Sequence, residues 1–285
     1  MASGVTPDRL RARDLQRPFH GVRSRGLDLA DHVDRCRALL PRMKAGVHFS
    51  HISAALLHGL PLPRRYSSAP VHISVFAPDR APKLRGVVSH ELAATGQHAS
   101  RTRSLPVIGP ADTWVHLAAC IRPDDLVVLG DHLITGSEPY TGERPTCARE
   151  DLEAALRRHA KRRGVAQARD ALARVRYGPL SPQETRLRLL MDRAGLPAPE
   201  LNFRVRDDAG GVVAMVDLAL LESRVAVEYQ GDHHRTNGDV YHSDIGRRER
   251  LEYCGWKVIY VVAADLALRP ERLVARIRRA QEKWA

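Results

Sequence analysis

The stretch VDLALLESRVAVEYQGDHH, which begins at Val216, constrains the fold more than any other. VVAMVDLAL and RVAVEYQ have the alternating, β-branched character of strands, and they flank Leu221, Glu222, Ser223 and Arg224. With Glu222 and Ser223 at the centre of an antiparallel turn, Asp217 falls directly opposite Glu228. Their Cβ atoms are then roughly 4.5–5.5 Å apart. Period-two alternation adds Gln230 to that face and sends Val216, Leu218, Leu220, Val225 and Val227 the other way, into a core. A four-residue loop preserves this pairing, whereas an odd-numbered loop breaks it. Opposed like charges destabilise a hairpin unless they share a proton, hold a cation or pair with a local arginine.

The residues after the hairpin bring further chemistry to the same strand end. GDHHRTN adds His233, His234 and Arg235, and HSDIGRRERLEYCGW reads as a helix with Ser243 as its cap. On that helix Asp244 shares a face with Arg247 and Arg248. Two carboxylates suit a hard divalent cation such as Mg²⁺ or Mn²⁺, which takes oxygen ligands and keeps waters or substrate phosphate in its shell. Such a metal activates water, and a neighbouring base and guanidinium assist the cleavage of a phosphodiester.

Charge points to the same class of substrate. Net charge is +12 with a pI near 10.1, which favours a polyanionic partner, most simply nucleic acid. The 285 residues, 44% of them apolar, allow two domains with real cores. Cys36, Cys120, Cys147 and Cys254 are scattered without a CxxC pair, so structural thiols in a reducing cytoplasm are expected rather than a disulfide framework or zinc ribbon. No long uncharged apolar run indicates a membrane span, and no apolar signal-peptide region is evident at the N-terminus.

Along the rest of the chain, DLADHVDRCRALLPR suggests one amphipathic helix. FSHISAALLHGLPLP reads as a short helix capped by Ser50 and stopped by Gly59 and Pro61. VHISVFAP and RGVVSHEL look like strands, while PADTWVHLAACI and PDDLVVLGDHLI look like helices. GSEPYTGERPTCARE is the clearest loop, and REDLEAALRRHAKRRGVAQARDALARVR is helical and basic. In SPQETRLRLLMDRAGLPAPE, Ser181, Pro182 and Glu184 form a capping box, and Gly195 and Pro197 end the helix. Two strands, a polar loop, a helix, the strand WKVIYVVA and a last helix follow. The expected architecture is α/β, of the mixed α+β kind, with a domain boundary near residue 170 separating residues 1–170 from 171–285.

Asp217 followed by Glu228-Tyr229-Gln230 resembles the D…(D/E)-x-K core of the PD-(D/E)XK nuclease superfamily. Glu184 resembles the acid on that family's first helix. The run from Val216 through GDHHRTN, SDIGRRERLEYCGW and KVIYVV is similar to the very-short-patch-repair-endonuclease-like branch, over about residues 180–285. The resemblance implies a restriction-endonuclease-like αβββαβ core and a Mg²⁺- or Mn²⁺-dependent DNA endonuclease. Asp217 and Glu228 would be the metal ligands, His234 a base, Glu184 and Gln230 part of the catalytic set, Asp244 a support, and His233, Arg235, Arg247 and Arg248 DNA contacts. Gln230 stands where that pattern has lysine, and an amide lacks the ammonium's charge.

In the N-terminal part, SHISAALLHGLPLP, VHISVF, LPVIGPADTWVHLAAC and DLVVLGDHLI are similar to antitoxin-like regulators of the abortive-infection type IV toxin–antitoxin class. That resemblance implies a DNA-binding antitoxin role, with a toxin encoded nearby as a partner. Two principal readings follow: a metal-dependent DNA endonuclease, or a non-catalytic DNA-binding regulator. A basic protein that binds RNA or another protein is a third.

Overall fold

The computed structural model describes residues 5–93, 99–231 and 238–284, without the side chains of 238–245. The chain forms two compact units. One comprises Met1–Leu133 and Thr146–Arg174, the other Ile134–Pro145 and Val175–Ala285. The main boundary thus falls between 174 and 175, close to the expected 170, but the second unit also takes in residues from the loop GSEPYTGERPTCARE.

The elements of the first stretch are α1 (Pro7–Arg11), α2 (His32–Leu39), β1 (His48–Phe49), α3 (His51–Leu57), β2 (Val71–Phe76), β3 (Val87–Leu92), β4 (Ala99–Thr102), β5 (Leu105–Ile108), α4 (Pro110–Leu117) and α5 (Pro123–Thr135). Then come α6 (Glu138–Thr141), α7 (Arg149–Arg158) and α8 (Val165–Arg174). The expected loop thus contains a short helix, closed by Gly142 in the left-handed region.

In the first unit the sheet order is β3-β2-β1-β5-β4. β2 runs antiparallel to β1 and parallel to β3, and β1 and β5 are parallel. β2 is an interior strand, between β3 and β1, and almost all of VHISVF is buried. Val33, Leu39, Phe49, Leu57, Ile73, Val75 and Val107 form the core beside it. DLADHVDRCRALLPR is helical only from His32, capped by Asp31, with a final 3₁₀ turn over Leu40–Arg42. Ser50 precedes α3 as expected but makes no side-chain cap bond. Its hydroxyl is engaged by His51 and Ser74 instead.

The second unit continues with α9 (Pro182–Arg193), β6 (Glu200–Arg206), β7 (Val212–Leu220), β8 (Val225–Tyr229), α10 (Gly238–Tyr253), β9 (Lys257–Val261), α11 (Ala263–Leu268) and α12 (Pro270–Trp284). The core is therefore αβββαβ. A pass along the residues alone gives two strands before α10, because β6 is the charged, half-exposed ELNFRVR. Sheet order is β6-β7-β8-β9, antiparallel until β9, which joins β8 in parallel. The connection from β8 to β9 runs through α10, as a parallel crossover requires.

Leu187 and Met191 of α9 and Leu273 and Ile277 of α12 bury one side of this sheet against Leu218, Leu220, Val225 and Val227. Leu251 of α10 and Trp256 cover the other side with Ala219, Ala226 and Val258. Val216 belongs to this second cluster rather than sharing a core with Leu218, as strict alternation would have it. The irregularity coincides with Asn202, whose φ is 49° in the strand paired to β7. Among the described residues, no helix is long and apolar enough to cross a membrane.

Candidate functional site

The β7–β8 hairpin has the register that its sequence implies. Leu218 pairs with Val227, Ala219 with Ala226 and Leu220 with Val225, around a four-residue turn at Leu221–Arg224. Arg224 takes a positive φ of 48° to close it. Asp217 and Glu228 are the next residues on the two strands beyond the Leu218–Val227 pair. Each carboxylate is held by a different donor. The Tyr229 amide donates to Asp217 Oδ2 at 2.8 Å, and the Arg247 guanidinium donates to Glu228 Oε2. Arg247 also donates to the Met215 carbonyl at 2.6 Å, so it clamps both strands from α10.

Glu184 reaches the same cluster from α9. Ser181 Oγ accepts the Glu184 amide at 3.2 Å, and Glu184 Oε2 accepts the Leu180 amide at 2.8 Å. The capping box thus does double duty: it starts α9 and fixes a buried carboxylate near Asp217. Burial, and then the charge of Asp217, push the Glu184 carboxyl up to about 7. Burial also raises Asp217, against the lowering influence of the Tyr229 amide and Arg247. Crowded, desolvated carboxylates of this kind hold protons tightly until a cation replaces them.

Gln230 follows β8, and its backbone N–H donates to the Val261 carbonyl at 2.8 Å. Arg247, expected as a DNA contact, is engaged with Glu228. Arg248 is exposed and pairs with Glu252 at 2.8 Å, one helical turn on. His233, His234 and Arg235 lie outside the described residues, as does the side chain of Asp244. The helix that was expected to begin at Ser243 begins at Gly238, so Ser243 lies within α10 rather than at its cap.

One neighbour of the site was not legible in the sequence. Tyr140 of α6 stands close enough for its phenol to be raised by burial first, then by the charges of Asp217, Glu184 and Glu228. Most of its surface is nonetheless exposed. A second polar cluster, built on His51, His72 and His90, lies in the first unit. The only sequence signal for it is the recurrence of His beside Ser in strand- and helix-starting segments, SHIS and VHIS.

Glu184, Asp217 and Glu228 come from three separate elements and carry oxygen donors of the type Mg²⁺ takes, but among the described residues their oxygens do not converge as a metal-binding group, and Glu228 is engaged by Arg247. The raised proton affinity of Glu184 reflects its burial first and the neighbouring charge of Asp217 second.

No family model matches the chain. It is 34% identical over 194 residues to the uncharacterized protein Rv2248 of Mycobacterium tuberculosis (strain ATCC 25618 / H37Rv), spanning 68% of each chain. The same identity and coverage hold for the uncharacterized protein MT2308 of strain CDC 1551 / Oshkosh. The chain belongs to the family of these two mycobacterial proteins.

Proposed function

We propose that the second unit is a Mg²⁺-dependent DNA endonuclease core of the PD-(D/E)XK type. The observation that supports this reading is the β7–β8 hairpin, in which Asp217 and Glu228 follow the Leu218–Val227 pair on neighbouring strands, with Glu184 near Asp217. Asp217 and Glu228 would hold the metal, which when bound supplies Lewis acidity and activates water. Arg247 orients the Glu228 carboxylate, and the Tyr229 amide orients Asp217. Gln230 offers an amide to a water or a phosphate oxygen in place of lysine. His234 enters as the base through the family resemblance alone. The net charge of +12 suits a DNA backbone, and four free thiols suit a reducing cytoplasm.

The test is cleavage of supercoiled plasmid by the full chain with Mg²⁺, beside Asp217→Asn and Glu228→Gln. Wild type is expected to nick or linearise the plasmid, and each variant to lose roughly 100-fold or more of that rate. Intact plasmid with wild type, or equal cleavage by all three, rejects the reading.

A second reading is a non-catalytic DNA-binding regulator of the type IV antitoxin class, with a toxin encoded nearby as its partner. It is favoured by Gln230 at the lysine position and by the engagement of Arg247 with Glu228. It predicts salt-sensitive DNA binding that survives Asp217→Asn.

A further inference from the structure

Five histidines of the first unit lie in a chain of ring contacts. His90 stacks on His51 at 3.7 Å, His116 on His51 at 5.1 Å, His72 on His90 at 5.2 Å, and His159 meets His116 edge-on at 4.7 Å. They come from α3, β2, β3, α4 and the residue that ends α7, so rigid elements present them rather than loops. Burial lowers the proton affinity of His51, His72, His90 and His116, which keeps these imidazoles neutral.

Within the chain, one donor nitrogen each from His51, His72 and His90 lies within 4.8 Å of the other two. His72 Nδ1 and His90 Nε2 face each other at 3.0 Å. That is close to the spacing of adjacent ligands on a tetrahedral zinc, about 3.3 Å for Zn–N bonds of about 2.0–2.1 Å. Arg162 Nη2 lies 2.9 Å from His51 Nε2. Arginine has no acceptor, so Nε2 carries the lone pair and the proton sits on Nδ1, donated to Ser50 Oγ at 2.9 Å. The lone pair of His51 therefore already faces a cation, and its other nitrogen is held by a hydroxyl that Ser74 steadies at 2.6 Å. An outer partner of this kind fixes the tautomer and orientation of a metal-ligating histidine.

Two further features distinguish the cluster from an ordinary hydrogen-bonded core. His51 begins α3 with φ at 49°, a strained conformation for a residue with a side chain, and it forgoes the cap bond that Ser50 would otherwise supply. His116 is 1% exposed, and neither of its ring nitrogens has a hydrogen-bond partner among the described residues. Leaving such a group buried and unpaired is costly. It stacks on His51 beside the triad, outside the three nitrogens that lie within 4.8 Å of one another, so it reaches a metal there only if the rings shift.

We propose that His51, His72 and His90 form a binding site for a single borderline transition-metal ion of the Zn²⁺ class, with His116 as the adjacent fourth donor. Imidazoles select such ions over Mg²⁺, which prefers oxygen. Binding through His51 displaces the Arg162 guanidinium from Nε2 and turns the ring out of its stack on His90. Arg162 also lines a cavity of about 500 Å³ with Arg157, His159 and Lys161, which gives the displaced head group room. This site is separate from the carboxylates of the second unit and does not rest on the reading given to them.

The experiment uses the full chain, stripped with a chelator and dialysed against Zn²⁺ in excess Mg²⁺, with bound metal counted by mass spectrometry. One Zn²⁺ per chain is expected in wild type and in Asp217→Asn/Glu228→Gln, and loss of at least ten-fold in affinity in His72→Gln/His90→Gln. X-ray absorption of zinc-loaded wild type needs no variant and is expected to show a shell dominated by three or four imidazoles. No retained zinc, zinc retained equally by His72→Gln/His90→Gln, or a shell of sulfur or carboxylate ligands each overturns the assignment.

Discussion

Asp217 accepts the Tyr229 backbone N–H at 2.8 Å across the hairpin, one residue beyond Glu228. The backbone thus restrains one carboxylate and leaves the other to Arg247. Glu228 is almost wholly buried, so Arg247→Ala strands a charge within the fold. The expected loss of stability is on the order of 3 kcal/mol, read from urea denaturation. Glu228→Gln/Arg247→Met, which removes both charges, is expected to lose less than the single variant. A loss below about 1 kcal/mol for Arg247→Ala would mean that the pair behaves as a surface ion pair.

Glu184 makes stability depend on pH. Its folded-state affinity for a proton is raised, to about 7, above the ordinary value of 4.5 for a glutamate. Between those values the folded protein binds more protons than the unfolded chain, so stability falls as pH rises. The contribution is complete below about pH 4.5 and lost as pH passes about 7. Each unit of difference between the two states is worth about 1.4 kcal/mol. In metal-free buffer, Glu184→Gln is expected to flatten this fall, since an amide still accepts the Leu180 amide. Parallel stability curves for wild type and variant across that window would contradict it.

Asp112 is 1% exposed and accepts Arg158 at 2.9 Å and His159 at 2.9 Å. Asp112→Ala leaves the buried end of that network without its acceptor. The expected destabilisation is on the order of 3 kcal/mol by thermal or chemical denaturation, larger than for Asp112→Asn. A variant within about 0.5 kcal/mol of wild type would show the network to be energetically idle.

Gly164 opens α8 with φ at +87°, and a Cβ there would lie 2.8 Å from the Ala119 amide nitrogen. Because the obstacle is backbone, Gly164→Ala is expected to lose roughly 1–3 kcal/mol. Chemical denaturation checks this, and Gly142→Ala serves as the comparison: its φ is also positive, but open space surrounds it.

The parts of the fold that local rules govern were legible. The cap of Glu184 by Ser181 and the stop at Gly195 depend on residues a few positions apart, and the β7–β8 register from Leu218–Val227 inward depends on one short turn. β6 was obscured because Arg204 and Arg206 alternate with Phe203 and Val205 on a strand that is half exposed. The start of α10 was set too late, with Ser243 as its cap, because a good cap residue can equally lie inside a helix whose start is fixed by tertiary structure. His51, His72 and His90 carry no spacing signature at all. The β2–β3 pairing, in which Ser74 faces His90, brings His72 and His90 together, and the Ser50 N–H donating to the His72 carbonyl at 3.1 Å brings in the start of α3. Tyr140 was invisible for a similar reason, since its neighbours Asp217 and Glu228 are encoded far along the chain.

The membership of Ile134–Pro145 in the second unit has a consequence for how the protein is made and inherited. No single cut of the chain yields either unit whole. A fragment beginning at Val175 lacks the segment that carries Tyr140, and one ending at Pro145 leaves the first unit without α7 and α8. During synthesis the segment leaves the ribosome before α7 and α8, and long before the strands that it joins, so the second unit cannot be completed until a piece made early is recruited by a sheet made late. A recombination event at one point in the coding sequence would separate that piece from its sheet, which ties the two units together in descent.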